Sequence, residues 1–224
     1  MVLNDKLDLD ADLFWESDRR LISETFRPLS VIAKDLGFVG KDDLLNFIGK
    51  QERVVDLGSG YDGLALGCLM EGVNTLIISV NPRRKLPNFK EGRLKTIMAK
   101  LDNKHPQEFI EKLLEKVDIL ATAEYAENLA SLPSNSVDLV IDNQAISYYL
   151  HDDPMAAAPT WRAYLDESLR VLRPEGIMLI GDHTMFRALR TVLKPWRIAV
   201  LSGLENVRYE IIPKDLGVKL VKLA

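Results

Sequence analysis

The chain has 224 residues, 47% hydrophobic and 28% charged, with a formal net charge of −4. That is a globular composition, long enough for a well-buried core and too acidic overall for a dedicated nucleic-acid or anionic-membrane binder. The single cysteine, Cys68, excludes an intrachain disulfide and a cysteine-rich metal site; with the polar, acidic stretch Met1 to Asp12 it predicts a cytoplasmic protein without a secretory signal. No apolar run approaches the roughly 20 residues needed to span a bilayer, so no membrane contact is expected.

In chain order, residues 1–50 read as a helical extension. Leu13, Phe14, Leu21, Ile22 and Phe26 recur at helical spacing, Pro28 interrupts them, a second segment runs to Gly37, and a third runs from Asp42 to Ile48 with Asp42 or Asp43 as N-cap. Asp8, Asp10 and Asp12 alternate like calcium-loop ligands but lack the glycine and terminal glutamate of such loops, so no metal site is expected. From Arg53 the texture changes to short apolar runs alternating with amphipathic stretches. Strands are predicted at Val54–Leu57, Leu76–Val80, Val117–Ala121, Val137–Asp142 and Ile177–Gly181. Helices are predicted at Leu64–Met70, Lys90–Lys100, Pro106–Lys116, Trp161–Leu172 and Phe186–Val200, the last disturbed by Pro195. Such alternation implies βαβ crossovers and a parallel sheet. Two final strands, Arg208–Ile212 and Val218–Leu223, lack a helix between them, so one should run antiparallel in a hairpin. No linker interrupts residues 51–224, which read as one α/β domain carrying the extension.

The densest signal is Val54-Val55-Asp56-Leu57-Gly58-Ser59-Gly60-Tyr61-Asp62-Gly63: a strand, a glycine-rich turn, then a helix. Glycine permits positive φ and close approach of a ligand to the backbone, and a helix N-terminus offers unpaired N–H groups. Gly58-x-Gly60-x-x-Gly63 fits dinucleotide and S-adenosylmethionine folds alike. Asp56 separates them: an acid there suits the cationic amino group of a methionine and gives a pyrophosphate nothing.

Three further segments follow in order: Leu76-Ile77-Ile78-Ser79-Val80-Asn81, Leu132 to Asn143, and Leu169-Arg170-Val171-Leu172-Arg173-Pro174-Glu175-Gly176-Ile177-Met178-Leu179-Ile180. From Arg53 onward the chain resembles the class I S-adenosylmethionine-dependent methyltransferases. The resemblance implies a Rossmann-like, seven-stranded, mostly parallel sheet with a C-terminal antiparallel hairpin, flanked by helices. It implies that Asp56, Gly58, Ser59 and Gly60 hold the methionine part of the cofactor and that Asn81 meets the ribose hydroxyls. Glu124 and Tyr125 would lie near the adenine, and Asp142 and Asn143 would border the reacting methyl.

The chain departs from that family at Asn81, where an acid is usual; a carboxamide has one acceptor oxygen where a carboxylate has two. Asp142-Asn143-Gln144-Ala145 also does not resemble the Asn/Asp-Pro-Pro-Tyr motif of enzymes that methylate amide or exocyclic nitrogens. Tyr148, His151 and His183 are candidates for catalysis at the acceptor, either histidine as a base. A basic stretch, Arg83, Arg84, Lys85, Lys90, Arg93, Lys95, Lys100 and Lys104, is either a solvated helix face or a contact for a phosphorylated ligand, RNA or an acidic partner. The functional expectation is methyl transfer from S-adenosylmethionine to a small-molecule acceptor. The rivals are a non-catalytic cofactor-binding or partner-regulating module on the same fold and an NADP-dependent oxidoreductase using Asn81-Pro82-Arg83-Arg84 for a 2′-phosphate.

Overall fold

The computed structural model describes residues 13–15, 21–23, 26–101, 104–143, 154–181, 204, 206–212 and 217–224; of these, 13–15, 21–23, 154–161, 209, 211, 212, 217 and 218 are described as backbone only. β1 (Leu13–Trp15) and β2 (Leu21–Ser23) pair antiparallel, where the spacing of Leu13, Phe14, Leu21 and Ile22 predicts helix. Apolar runs this short fit either element, and periodicity cannot separate them. α1 (Leu29–Asp35) starts directly after Pro28. α2 (Lys41–Ile48) has Gly40 as its N-cap and carries Asp42 and Asp43 in its first turn, where carboxylates meet the positive end of the helix dipole.

β3 (Arg53–Leu57) runs through α3 (Gly63–Met70) into β4 (Leu76–Val80). A 3-10 turn, η1 (Pro82–Lys85), then leads to α4 (Phe89–Lys100), α5 (Gln107–Leu120) and β5 (Val137–Asp142). α6 (Pro154–Val171) precedes β6 (Leu172–Gly181), and β7 (Val207–Ile212) and β8 (Gly217–Lys222) close the chain. β3 to β6 pair parallel, β8 runs antiparallel to both β6 and β7, and the order is β4-β3-β5-β6-β8-β7. The expected C-terminal hairpin is present. The predicted helix Phe186–Val200 lies outside the described residues.

The main sheet therefore has six strands among the described residues, not the expected seven. The missing one is Val117–Ala121. Ile110, Leu113, Leu114 and Val117 form a single buried stripe on α5, and this helical spacing carries the helix on to Leu120. A single parallel bridge between Val80 and Thr122 is what remains of the third strand, with the Asn81 N–H donating to Thr122 O at 3.1 Å. The expected turn Leu172-Arg173-Pro174-Glu175-Gly176 is a bulge inside β6. Val137 pairs with Leu172 but Leu139 with Ile177, and Glu175 takes a left-handed φ of 63°.

Strand alternation sends apolar side chains to both faces. Val55, Leu57, Val80, Val140 and Ile180 pack against Tyr164 and Leu165 of α6. Val54, Ile77, Leu139, Ile141 and Leu179 pack under α1, α2 and α3. Leu66, Ile97, Ile110 and Leu114 join α3, α4 and α5 in a third cluster. At the opposite end from the glycine turn, buried Asp138 of β5 accepts hydrogen bonds from the Glu52 and Arg53 N–H groups at 2.8 and 2.7 Å, fixing where β3 begins. No helix among the described residues is long and apolar enough to cross a membrane.

Candidate functional site

β3 ends in the turn that precedes α3. Gly58, Gly60 and Asp62 have φ of 62°, 53° and 62°, left-handed values that glycine takes without cost and a side chain resists. The Ser59 N–H donates to Val80 O at 3.1 Å, tying the turn to β4. The third glycine of the motif serves packing. A Cβ on Gly63 would stand 2.2 Å from the Arg27 carbonyl oxygen, and one on Gly67 would stand 2.5 Å from the Leu29 side chain. Both let the chain entering α1 lie directly on α3.

One step past the pairs Leu57–Val80, Leu57–Asp142 and Asp142–Ile180, the strand ends set Asn81, Gly58, Asn143 and Gly181 in one row, carboxamides alternating with glycines. Asn81 is buried, and both ends of its amide are engaged within the protein. Nδ2 donates to Gly60 O at 2.9 Å, and Oδ1 accepts from the Arg83 N–H at 3.0 Å, capping η1. Asn143 differs: its Oδ1 is buried and has no hydrogen-bond partner among the described residues. Gly181 leaves room for it, since a Cβ there would lie 3.2 Å from that oxygen.

Asp56 is 4% exposed, on the face of the sheet that α3 covers, and no hydrogen bond to its carboxyl is found among the described residues. Burial holds its pKa well above the ordinary carboxylate range; the Asp62 and Asp142 charges add to this and Arg84 opposes it. Burial, with Asp56 nearby, also pushes the Cys68 thiol up to about 12, which leaves it inert as a nucleophile. Asp142 is fully buried on the other face and accepts the Tyr164 O–H at 2.7 Å.

Glu124 and Tyr125 follow the Thr122 bridge and are partly exposed. The Glu124 carboxylate accepts from the Ser131 N–H at 2.8 Å and the Ser131 Oγ–H at 2.7 Å, so it braces the loop that follows. Tyr148, His151 and His183 lie outside the described residues, as do Asp8, Asp10 and Asp12. Among the described residues no group of three or more His, Cys, Asp or Glu could hold a metal ion.

Sequence reasoning missed the densest polar structure beside the turn. Asp62 is fully buried, and its carboxylate accepts from the Ser59 Oγ–H at 3.1 Å, from Arg84, and from Arg93 at 2.7 Å. Asp118 of α5 accepts from the same two guanidiniums: from Arg84 at 2.8 Å and from Arg93 at 2.8 and 3.0 Å. Burial lowers the Arg93 pKa, but Asp118 and Asp62 outweigh it and the net shift is upward. For Asp118 burial raises the pKa, and Arg93 and Arg84 more than reverse it, leaving the carboxyl below its ordinary range. Both guanidiniums also stand over the Phe89 ring, 5.3 and 5.5 Å from its centroid, and the Tyr61 ring lies 5.7 Å from the same ring. A signal for this cluster did exist: Asp118 interrupts the apolar run Val117 to Leu120, and a charge in such a run needs a partner. The basic stretch is thus divided. Arg83 and Arg93 are buried and Arg84 is ion-paired inside, while Lys85, Lys90, Lys95, Lys100 and Lys104 are exposed.

No protein-family model matches the chain, and no curated protein matches it in sequence. Solved structures do match. A candidate S-adenosyl-L-methionine-dependent methyltransferase from Methanococcus maripaludis superposes with a TM-score of 0.50 at 17% identity, over 87% of this chain and 86% of that one. The O-methyltransferase TomG from Streptomyces achromogenes, solved in complex with S-adenosylmethionine, gives 0.49 at 12% identity, over 88% and 87%. The chain has the fold of the class I S-adenosylmethionine-dependent methyltransferases, with the third strand reduced to a bridge.

Proposed function

We propose that the chain binds S-adenosylmethionine at the 58–62 turn and transfers its methyl group to a small-molecule acceptor. The carrying observation is Asp56, a buried carboxyl with no hydrogen bond among the described residues, at the base of a turn built on two left-handed glycines. A buried carboxylate is costly without a cationic or donor partner, and a methionine ammonium is such a partner. Asn143 Oδ1 is a second acceptor at the same sheet edge with no partner among the described residues, suited to an N–H or O–H donor of a bound molecule. The residues present therefore fit the group. Asp56, Gly58, Ser59 and Gly60 would hold its methionine part, Asn81 would lie on the ribose side, Glu124 and Tyr125 near the adenine, and Asp142 and Asn143 beside the acceptor.

S-adenosylmethionine, when bound, supplies an electrophilic methyl on a sulfonium. The chain's own contribution is orientation and exclusion of water. Gly58 and Gly60 let backbone approach the ligand, and Asp142, fixed by Tyr164, and Asn143 line the edge where the acceptor would be aligned. A base is needed only where the acceptor must lose a proton, and Tyr148, His151 and His183 are the candidates.

The NADP reading loses its basis, because Arg84 is already bound to Asp62 and Asp118 and Arg83 is buried. Cofactor binding without catalysis keeps one observation in its favour: the Asn81 amide is already engaged with Gly60 and Arg83. Calorimetric titration of S-adenosylhomocysteine and NADP separates these readings. We expect S-adenosylhomocysteine to bind the parent protein and Asp56→Asn to bind it at least tenfold more weakly. The same substitution should raise the melting temperature of the ligand-free protein, because a charge held at a raised pKa opposes folding at neutral pH. NADP binding in place of S-adenosylhomocysteine overturns the proposal. Binding without transfer of labelled methyl to any small molecule of a metabolite extract favours the non-catalytic reading.

A further inference from the structure

The cluster around Asp62 belongs to neither the glycine motif nor the core, and its placement gives it a task. Asp62 is the N-cap of α3, yet its side chain makes no cap hydrogen bond. It turns instead into the protein, toward Arg84 of η1 and Arg93 of α4. Those two guanidiniums also hold Asp118 of α5. Two acids and two arginines, three of them at 10% side-chain exposure or less, thus form one network, with Lys90 at its outer edge 3.6 Å from Asp118, joining the end of the turn to three elements beyond β4. Tyr61, next to Asp62, packs on the Phe89 ring, over which the same two guanidiniums stand. The two residues that end the turn are therefore both held from the α4 side, and Asn81 holds Gly60 from the β4 side.

We propose that Arg84 and Arg93 are positioning residues which, through Asp62, keep the 58–62 turn in the form that receives the cofactor. The inference rests on the cofactor reading above. Asp62 is a non-glycine residue in the left-handed region, a conformation that persists only where the surroundings impose it. Charge-assisted hydrogen bonds from two guanidiniums, fixed in turn by Asp118, impose it here. Removal of one of these contacts lets Asp62 relax toward right-handed or extended backbone. Gly60, two residues earlier, then leaves its ligand-ready geometry, although no cofactor contact has been deleted.

The test uses the full chain with Arg84→Lys and Arg93→Lys, which keep the charge but cannot reproduce the shared, forked contacts to two carboxylates. Arg84→Lys is the milder change, because Arg84 is the less buried of the two, and it serves if Arg93→Lys folds poorly. Amide hydrogen exchange is read in the ligand-free protein at Ser59, Gly60, Tyr61 and Asp62, against Val140 and Ile141 of β5 as the internal standard. S-adenosylhomocysteine affinity is read by calorimetry. The expected result is exchange at least tenfold faster in the turn with β5 unchanged, and a tenfold or greater loss of affinity. Acceleration of turn and β5 in step would mark a merely structural role and overturn the proposal, as would parental affinity in both variants. If the parent protein itself does not bind S-adenosylhomocysteine, the cofactor reading falls and the positioning role falls with it. If the parent binds and the variants bind equally well, only the positioning role is lost.

Discussion

At Asn81 a carboxamide donates to Gly60 O while accepting from the Arg83 N–H, a pairing of roles that the acid usual in the family resemblance cannot fill. Asn81→Asp puts a second acceptor against the Gly60 carbonyl. We expect a loss of about 1–3 kcal/mol in stability, the cost of a buried polar group left without its partner. S-adenosylhomocysteine should bind the variant more weakly, because the strand of turn that includes Gly60 loosens. Thermal melts and calorimetry check both, and a variant that is undiminished in stability and binds more tightly would show that position 81 turns toward the ribose. At this scale the sequence is legible where the backbone makes the demand: Gly58 and Gly60 are where positive φ is needed, and Asp56 precedes them. It is opaque where partners come from afar. Asp62 meets Arg84 and Arg93 across 22 and 31 positions, and Arg93 meets Asp118 across 25; no local pattern relates them.

At the scale of elements, Gly63 and Gly67 are glycines demanded by packing. The third motif glycine exists because α3 is crossed by the chain entering α1, a contact between segments that the motif does not describe. Gly63→Ala forces a methyl against the Arg27 carbonyl. It should cost about 1–3 kcal/mol, the usual range for overpacking, while leaving S-adenosylhomocysteine affinity within about twofold once the folded fraction is accounted for. Equilibrium urea unfolding with parallel titration tests this; a stable variant that has lost the ligand would place Gly63 in the binding site. The parallel strands were legible because their runs are mostly apolar, as strands covered on both faces tend to be. Val117–Ala121 misled for the same reason: apart from Asp118 it is apolar and it is short, and only the stripe Ile110, Leu113 and Leu114 leading up to Val117 shows the helix running on.

For the whole molecule, the buried Asp56 and the half-buried Asp118 make opposed contributions to the dependence of stability on pH. Asp118, held below its ordinary value of 3.8, contributes stability that is present above that value and is lost as pH falls through its lowered pKa in the folded protein. Asp56, held well above 3.8, opposes folding while ionised. Stability therefore rises as pH falls through its raised pKa, until the unfolded chain also takes up the proton near 3.8. Between the raised pKa of Asp56 and about 3.8 the ligand-free protein should melt higher the lower the pH, and below about 3.8 it should lose stability; Asp56→Asn should abolish the rise. S-adenosylhomocysteine affinity should fall over the same interval in which stability rises, because the ionised carboxylate is the form that meets an ammonium. Melting curves and titrations across pH check the pair, and a stability maximum at neutral or alkaline pH would contradict it.

The Asp138 side chain, which holds the Arg53 N–H from 85 positions downstream, has a consequence for how the chain comes to exist. β3 lies between β4, which follows it closely, and β5, which does not. While the protein is being made at about 5–20 residues per second, roughly 4–17 s pass between the appearance of Arg53 and that of its partner. During that interval Val54, Val55 and Leu57 belong to an apolar strand with one side unpaired, the arrangement most prone to joining another chain. Long-range closure of this kind also slows folding once synthesis ends. The same central strand that presents the glycine turn is thus the segment most exposed to misassembly on the ribosome, and its safety depends on residues translated last in its neighbourhood.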